Sequence, residues 1–518
     1  MTGQIASALS RSADAVESAL HAHFWRLAVL FGVVLLACSI TEDLRKKMWI
    51  DELYTLYMAR QASLTEIVKA TQEGCDGVPP LYAMIVHAIL PWVRNEALAV
   101  RLPSTLGFCA MFFCLLAFCR RRWPASYAIL PALLASSAAI SYATEGRAYG
   151  VLLGCTAGVL LCWQAATENR RRMATVPLLA FCLMAAIALH YFAIFLVVPL
   201  LLAELVRAKE MRRLDFPVLA ALTPGLLVLV LHYPLIAAGR TFQAHYWSPA
   251  KWSALFWFYE WFVELICVLP TLVLIAWWNM PDLLLADRPR ASRLQLTISE
   301  WVASGSFLLM PVAVFILSKY ATGVFVDRYV LWTVVGSMIA IGASLCNAGR
   351  LNPLVGLSIA ACLLGIIGAR EAVHMYRRPL LRESEETYRE LERLPRDSQP
   401  VVMANHQAFM ELSYYARPEL RERLIYPLSI SLDLLYFNVD TGPRIFSALR
   451  HRASLRIIDY DKVIESYPRF ILAASSRDYL PWHLVRSGYR VIPLGQGSST
   501  LYQVEPNPQQ QRNLLPGY

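Results

Sequence analysis

Charged residues are scarce in this 518-residue chain: Asp, Glu, Lys and Arg together make up 17%, while hydrophobic residues make up 57%. Soluble domains carry about 25% charged residues, so the composition excludes a wholly soluble protein of this length. The net charge of +10 would suit a nucleic-acid-binding protein, but the basic residues occur in short clusters between apolar runs. Such clusters are typical of the ends of membrane spans, so we predict a polytopic α-helical membrane protein with no nucleic-acid partner.

Cysteine patterns typical of disulfide-rich or zinc-binding proteins are missing as well. Ten of the eleven cysteines lie in or at the ends of apolar runs, where cysteine acts as a small hydrophobic residue, and only Cys75 falls in a polar loop. The first 23 residues lack a basic start and a small-residue cleavage site. No cleaved signal peptide is therefore expected.

Apolar runs long enough to cross a bilayer recur along the first 370 residues. About eleven spans are predicted, near residues 24–40, 97–119, 126–143, 148–166, 174–189, 191–206, 216–236, 254–278, 300–318, 329–346 and 352–369. The run at 81–93 is shorter than the roughly 20 residues that a spanning helix needs. We interpret it as an interfacial or re-entrant helix.

Eleven spans would place four basic clusters on one side of the membrane. These clusters lie at residues 120–122, 170–172, 207–213 and 288–293, and the positive-inside rule makes their side cytoplasmic. Basic residues at 45–47 and 377–378 favour the opposite side, but they precede long outer segments, where the rule is weak. The odd number of spans then predicts that the C-terminal region lies outside the cytoplasm.

The composition changes near residue 371 to that of a soluble domain. Strands are predicted at 401–404, 469–474, 489–494 and 500–504, and helices at 383–392, 407–415 and 480–487. Alternating strands and helices favour a small α/β domain. The predicted organisation is thus a membrane domain of residues 1–370 and an extracytoplasmic α/β domain of residues 371–518.

Polar residues collect at the predicted outer ends of the spans. Asp51 and Glu52 follow the first span, and Asp76 precedes the rigid Pro79-Pro80 step. Ionisable groups at a membrane cost free energy to desolvate, so they usually have a function or a partner. The further members on this side are Glu145, Arg147, Tyr149, His190, Tyr191, His232, Tyr233, His245, Asp327, Arg328 and Tyr329.

Six short motifs in these segments resemble, in their order, those of the GT-C glycosyltransferases, specifically the bacterial relatives of protein O-mannosyltransferases, aminoarabinose transferases and rhizobial galacturonic-acid transferases. They are Trp49-Ile50-Asp51-Glu52-Leu53-Tyr54, the segment Asp76 to Tyr82, Arg101-Leu102-Pro103-Ser104, Glu145-Gly146-Arg147-Ala148-Tyr149, His190-Tyr191-Phe192 and Arg328-Tyr329. They cover roughly residues 45–335. The resemblance implies a GT-C fold with juxtamembrane helices in the first outer loop.

The resemblance also implies a reaction. A hexosyl- or pentosyltransferase of inverting type would move a sugar from a polyprenyl-phosphate donor to an acceptor hydroxyl on an envelope lipid, glycan or protein, at the outer face of the bacterial inner membrane. Val78 departs from the relatives, which often carry His or Lys just before the Pro-Pro step. A donor-phosphate contact expected there must come from other residues.

Asp51 is the candidate base, because a carboxylate can take the proton of an attacking hydroxyl. Glu52 and Asp76 complete the candidate catalytic set. Alternatives stay open for all three: Asp51 or Glu52 would suit the N-terminus of a helix, and Asp76 would suit a cap on the turn before Pro79.

Arg147 and Arg328 are the candidate phosphate ligands, because a guanidinium binds phosphate bidentately and stays charged at low dielectric. Ion pairs with Glu145 and Asp327 are the alternatives. The remaining candidate substrate-binding residues are Tyr82, Arg101, Glu145, Tyr149, His190 and Tyr329. No cofactor is required by the resemblance, a divalent cation (Mg²⁺ or Mn²⁺) stays open, and Asp76 and His190 are the candidate ligands for it.

Two other classes of protein share part of this pattern. A transporter or flippase for a lipid-linked sugar would also have many spans, but its polar residues would more often lie near the middle of the bilayer. A non-catalytic subunit of envelope-glycan assembly would use its C-terminal domain to bind a partner. The gathering of acids and bases on one face favours the enzyme.

Overall fold

The computed structural model describes residues 2–240, 244–264, 268–278, 295–376, 383–394, 399–494 and 500–507. Most of these residues are helical. The helices of the first half are α1 Thr2–Arg45, α2 Ile50–Ala59, α3 Leu64–Gln72, α4 Leu81–Ile89, α5 Glu96–Cys119, α6 Ala125–Ala128, α7 Leu130–Ala139, α8 Tyr149–Thr167, α9 Arg172–Leu189, α10 Val197–Met211, α11 Phe216–Leu222, α12 Pro224–Leu231 and α13 Tyr233–Gly239.

The helices of the second half are α14 Trp252–Glu264, α15 Val268–Trp278, α16 Ile298–Leu317, α17 Thr333–Ala348, α18 Pro353–Tyr376, α19 Glu383–Arg393, α20 His406–Tyr415, α21 Pro418–Arg421, α22 Ile430–Phe437, α23 Thr441–Leu449, α24 Tyr460–Ser466 and α25 Leu480–Arg486. Short 3₁₀ segments lie at Ile140–Tyr142, Tyr191–Leu196 and Asp327–Val330.

Eight helical segments in the described part of the chain are long and apolar enough to cross a membrane, and a ninth forms if α11–α13, bent by 53°, is one span. The eight are Asp14–Arg45, Glu96–Cys119, Ala125–Tyr142, Tyr149–Thr167, Arg172–Leu189, Tyr191–Met211, Ile298–Thr322 and Pro353–Val373. The predicted spans near 254–278 and 329–346 fall on the shorter helices α14, α15 and α17. The polytopic α-helical architecture is confirmed, while the basic cluster at 288–293 lies outside the described residues.

The loop between the first two spans contains short helices, as predicted. Helix α4 has only 9 residues, too few to span a bilayer, which agrees with the interpretation of the apolar run at 81–93. Helices α2 and α3, of 10 and 9 residues, precede it. Helix α1 is longer than the predicted first span, because its 44 residues begin at Thr2.

The chain forms two compact units. The membrane unit contains Met1–Arg45, Val78–Ala237 and Ser248–Tyr376, and the α/β unit contains Lys46–Gly77, Ala238–Trp247 and Arg377–Tyr518. A single boundary near residue 370 therefore does not describe the division, because α2 and α3 belong to the α/β unit. Two contacts within that unit explain why: the ring of Tyr54 meets the edge of Phe446 at 6.3 Å, and Arg452 binds Glu66, with 2.6 Å between Nη1 and Oε2.

The α/β unit is built on a six-stranded sheet with the strand order β3-β2-β1-β4-β6-β5. Its strands are β1 Val401–Met403, β2 Leu424–Leu428, β3 Ile457–Asp459, β4 Phe470–Ala473, β5 Tyr489–Pro493 and β6 Leu501–Pro506. Strands β1 to β4 pair in parallel, while β6 runs antiparallel to β4 and β5. The predicted α/β class is confirmed, although β2 and β3 were not predicted.

Helices α5 and α8 of the membrane unit approach until their backbones touch. A Cβ atom at Gly150 would overlap the carbonyl oxygen of Ser104, and one at Gly154 would overlap that of Gly107. Within a membrane, where lipid is as apolar as the helix surface, close packing of small residues is a main source of helix association. These glycines therefore hold α8 directly against α5.

Replacing Gly150 by Ala should lower the thermal unfolding temperature of the detergent-solubilised protein. The added methyl group would overlap backbone atoms, and overpacking of this kind costs about 1–3 kcal/mol. Gly305→Ala in α16 is the matched control, because a Cβ there meets no atom within 4 Å, and it should leave stability unchanged or raise it slightly. Equal stability of the two variants would contradict the close contact.

Candidate functional site

Aromatic rings from three separate segments meet in the membrane unit. Tyr149 begins α8, His190 ends α9, and Tyr329 lies in the 3₁₀ segment Asp327–Val330. The His190 ring lies 6.0 Å from the Tyr149 ring and 5.1 Å from the Tyr329 ring, and Phe192 stacks on Tyr329 at 5.6 Å. We call these four residues, with Arg147 and Arg328, the ring cluster.

Two guanidinium groups give the ring cluster its positive charge. Arg147 is buried, with 6% of its surface exposed, and Arg328 lies 5.9 Å from the centre of the Tyr149 ring, within range of a cation–π interaction. Both arginines act electrostatically on His190. A cationic site of low solvent exposure suits a phosphate, because charge-assisted hydrogen bonds strengthen where water is excluded.

His190 is the polar centre of the ring cluster. Only 4% of its surface is exposed, and its Nδ1 has no hydrogen-bond partner among the residues that the structure describes. Burying a polar atom without a hydrogen bond costs free energy unless a ligand supplies one. Nδ1 is thus placed to hydrogen-bond a bound molecule, and which nitrogen carries the proton depends on that partner.

The acidic residues of these segments act on a different side chain. Glu145 and Asp327 are the carboxylates whose charges affect Tyr142, whose ring lies 5.4 Å from that of Tyr149. Asp327 also accepts the backbone N–H of Arg328 at 2.7 Å. Arg328 acts electrostatically on both Tyr142 and His190, so the acids and this arginine lie in the same region of the membrane unit. Tyr142 was not among the predicted site residues, although it stands three residues before Glu145.

Helix α5 positions the segment that carries Glu145, Arg147 and Tyr149. The Ser104 hydroxyl donates to the carbonyl oxygen of Tyr142 at 3.0 Å and accepts the backbone N–H of Gly150 at 3.1 Å. The Thr105 hydroxyl lies 2.9 Å from the carbonyl oxygen of Ala143. One turn of α5 thus binds both ends of the turn between α7 and α8. Ser104 was seen in the sequence only as part of a motif.

Arg101 and Tyr82, two further predicted substrate-binding residues, are bound to the protein backbone. Arg101 is fully buried, and its Nη1 donates to the carbonyl oxygen of Asp43 at 2.7 Å. Tyr82 is 2% exposed, and its hydroxyl donates to the carbonyl oxygen of Val100 at 2.8 Å. These contacts join α1, α4 and α5. A substrate contact of either residue stays a prediction.

The adjacent carboxylates Asp51 and Glu52 have different surroundings in the first turn of α2. Glu52 is fully buried, and its Oε2 accepts the backbone N–H of Trp49 at 3.2 Å, which caps the start of the helix. Asp51 is partly exposed. The capping alternative considered for the pair therefore applies to Glu52. Asp76, in the loop after α3, is mostly buried.

The predicted site residues are divided between the two units. Asp51, Glu52 and Asp76 belong to the α/β unit, whereas Tyr82, Arg101, Glu145 and the ring cluster belong to the membrane unit. In the part of the chain that the structure describes, no three His, Cys, Asp or Glu side chains are grouped as they would be around a metal ion.

Comparison with known proteins identifies the fold. No family model matches the sequence, and no curated protein matches it. Among solved structures, ArnT from Cupriavidus metallidurans in the apo state aligns with a TM-score of 0.57 at 14% identity, over 93% of this chain and 98% of ArnT. The same protein bound to undecaprenyl phosphate aligns with a TM-score of 0.55 at 14% identity over the same shares. The archaeal oligosaccharyltransferase AglB from Archaeoglobus fulgidus gives only 0.38 at 9% identity, over 86% of this chain and 69% of AglB.

The two alignments with ArnT show that this chain has the fold of that protein, in agreement with the fold expected from the resemblance of its motifs. At 14% identity, the likeness to ArnT is one of fold.

Replacing Ser104 by Ala should loosen the turn between α7 and α8. The change leaves the carbonyl of Tyr142 and the N–H of Gly150 without this partner, at a cost of about 1–3 kcal/mol for a buried group. Amide hydrogen exchange in peptides covering residues 142–150 should become faster. Ser306→Ala is the control, because the Ser306 hydroxyl donates to the carbonyl of Val302 in its own helix. Unchanged exchange in the Ser104 variant would show that α5 does not position the turn.

Proposed function

We propose that this protein is a glycosyltransferase of the bacterial cytoplasmic membrane. It transfers a hexosyl or pentosyl group, with inversion, from a polyprenyl-phosphate donor to a hydroxyl of an envelope lipid, glycan or protein. The reaction takes place at the outer face of the membrane, where the α/β unit also lies. No cofactor is required, and a divalent cation would act only as an aid to phosphate binding.

The GT-C fold is the observation that carries this proposal. The alignment with ArnT extends over 93% of this chain, and one of the two aligned ArnT structures holds undecaprenyl phosphate. The ring cluster supports the same class of donor, because Arg147 and Arg328 supply the positive charge that a phosphate needs. The gathering of charged residues at the ends of spans favours surface chemistry over transport.

Asp51 serves as the base in this reaction. The acceptor oxygen attacks the anomeric carbon of the donor, and the bond from that carbon to the phosphate oxygen breaks. The proton of the acceptor hydroxyl passes to the carboxylate of Asp51, and polyprenyl phosphate leaves with the electron pair of the broken bond. Glu52 supports Asp51 by fixing the first turn of α2.

Arg147 and Arg328 stabilise the leaving phosphate, while Tyr149, His190 and Tyr329 bound its site. Negative charge grows on the phosphate as the bond to the sugar breaks, so fixed cations there lower the barrier. His190 contributes a hydrogen bond from its buried imidazole. Asp76 orients the acceptor.

Replacing Asp51 by Asn should abolish transfer while the protein still folds. General-base catalysis contributes roughly 10²–10⁴-fold, and the amide keeps the shape of the carboxylate without its basicity. Mass spectrometry of envelope lipids and glycans from cells with and without the gene identifies the product. Cells that carry the Asp51 variant should then lack it.

Glu52→Gln is the matched control for Asp51→Asn. The amide oxygen of glutamine can still accept the backbone N–H of Trp49, so the helix cap survives and the product should still form. Full product in cells that carry Asp51→Asn would rule out Asp51 as the base. The absence of any glycan or lipid difference between cells with and without the gene would overturn the enzyme itself.

Replacing Arg147 or Arg328 by Lys should weaken binding of undecaprenyl phosphate by about tenfold. Lysine keeps the charge but loses the bidentate hydrogen bonds, and a hydrogen bond to a charged group is worth about 1.5–3 kcal/mol. Native mass spectrometry of the purified protein with added undecaprenyl phosphate measures the change. Arg350→Lys, at an exposed position, should bind as the unchanged protein does. Equal binding by all three variants would place the phosphate elsewhere.

A further inference from the structure

The α/β unit contains a pocket that has no part in the proposed transfer reaction. Its volume is about 260 Å³, and it lies at the carboxyl ends of β1 and β4, where Met403 and Ala473 form part of its wall. This is slightly less than the roughly 300–1,000 Å³ of pockets for drug-sized ligands. A pocket of this volume is large enough for a ligand with one small ring.

The position of the pocket in the sheet is typical of a ligand site. After β1 the chain continues through α20 to β2 on one side, whereas β4 lies on the other side of β1 and leads toward β5 and β6. The strand order therefore reverses between β1 and β4. In open α/β sheets, ligands bind outside the carboxyl ends of the strands at such a reversal.

The lining of the pocket argues against a phosphate or nucleotide. It includes the carboxylates Glu386 and Asp478, and among the lining residues that the structure describes there is no Lys or Arg. The start of α20, which would offer backbone N–H groups to an anion, is already capped, because Oδ1 of Asn405 accepts the N–H of Ala408 at 3.0 Å. The connection from β1 to α20 also contains no glycine that would let a pyrophosphate approach the backbone.

The same lining suits the hydroxyl groups of an uncharged sugar. Asp478 is held in place by Ser475, whose N–H and hydroxyl donate to its Oδ2 at 2.7 and 3.0 Å. Asn405 uses its carbonyl oxygen as the helix cap, so its amide nitrogen is the donor that it presents to the pocket. Tyr502 and Ala408 add apolar surface for the C–H face of a ring.

We propose that this pocket binds a single uncharged sugar residue carried by a glycan. Asp478 accepts hydrogen bonds from the hydroxyl groups of the sugar, Asn405 donates one to a hydroxyl oxygen, and the ring packs on Tyr502. The inference goes beyond the proposed transfer and does not depend on it, because binding is measured without any reaction. In a glycosyltransferase, such a site would hold the glycan of an acceptor.

Saturation-transfer NMR on the full-length protein tests the proposal. The protein is kept in lauryldimethylamine oxide, a detergent without a sugar head group, and the probes are the methyl glycosides of glucose, galactose, mannose and N-acetylglucosamine. At least one methyl glycoside should receive saturation from the protein. If none does, or if free sugars bind and methyl glycosides do not, the assignment to a glycan-borne residue is wrong.

Two tryptophan variants at neighbouring exposed positions localise the binding. Ser476 lines the pocket and Arg477 does not, so Ser476→Trp should abolish the signal by filling the space while Arg477→Trp should retain it. Retention by both variants, or loss in both, would overturn the location. Glucose 6-phosphate should bind at least about tenfold more weakly than methyl glucoside, since Glu386 and Asp478 repel it, and tighter binding would overturn the chemical class.

Discussion

Helices α5 and α8 touch through their backbones at Gly107, Gly150 and Gly154, and the ring cluster depends on that contact. Because no side chains separate the helices, the Ser104 hydroxyl can reach both Tyr142 and Gly150. The turn between α7 and α8 is thereby bound at each end. Arg147 lies in this turn and Tyr149 begins α8 directly after it. The packing of the two helices therefore determines the positions of both side chains.

The packing of α5 against its neighbours gives a physical reason for the motif Arg101-Leu102-Pro103-Ser104. Arg101 lies one turn before Ser104 and Thr105 in α5. Arg101 contacts the backbone of Asp43 near the end of α1, and Ser104 and Thr105 contact the backbone of Tyr142 and Ala143 in the turn before α8. Backbone carbonyls near a membrane have little water to bind, so side chains must satisfy them. Arg101, Ser104 and Thr105 therefore fix the positions of the segments that they contact.

The sequence predicted the class of the fold and four of the six strands, but it failed where the information lies in distant contacts. Strand β2 was missed because Pro427 interrupts a strand pattern, yet all five of its residues are buried between β1 and β3. The assignment of α2 to the membrane domain failed because its partner Phe446 is nearly four hundred residues away along the chain. The different surroundings of Asp51 and Glu52 could not be predicted from the sequence either, because they depend on the orientation of α2.

The two units differ in the charge that they offer to a ligand. The ring cluster presents Arg147 and Arg328 around a buried imidazole, which favours an anion. The described lining of the pocket in the α/β unit contains Glu386 and Asp478 without a basic side chain, which disfavours an anion. A sugar attached to a polyprenyl phosphate is negatively charged, whereas a neutral glycan carries no charge. Charge alone would therefore favour binding of a phosphate-bearing ligand in the membrane unit and of an uncharged ligand in the pocket.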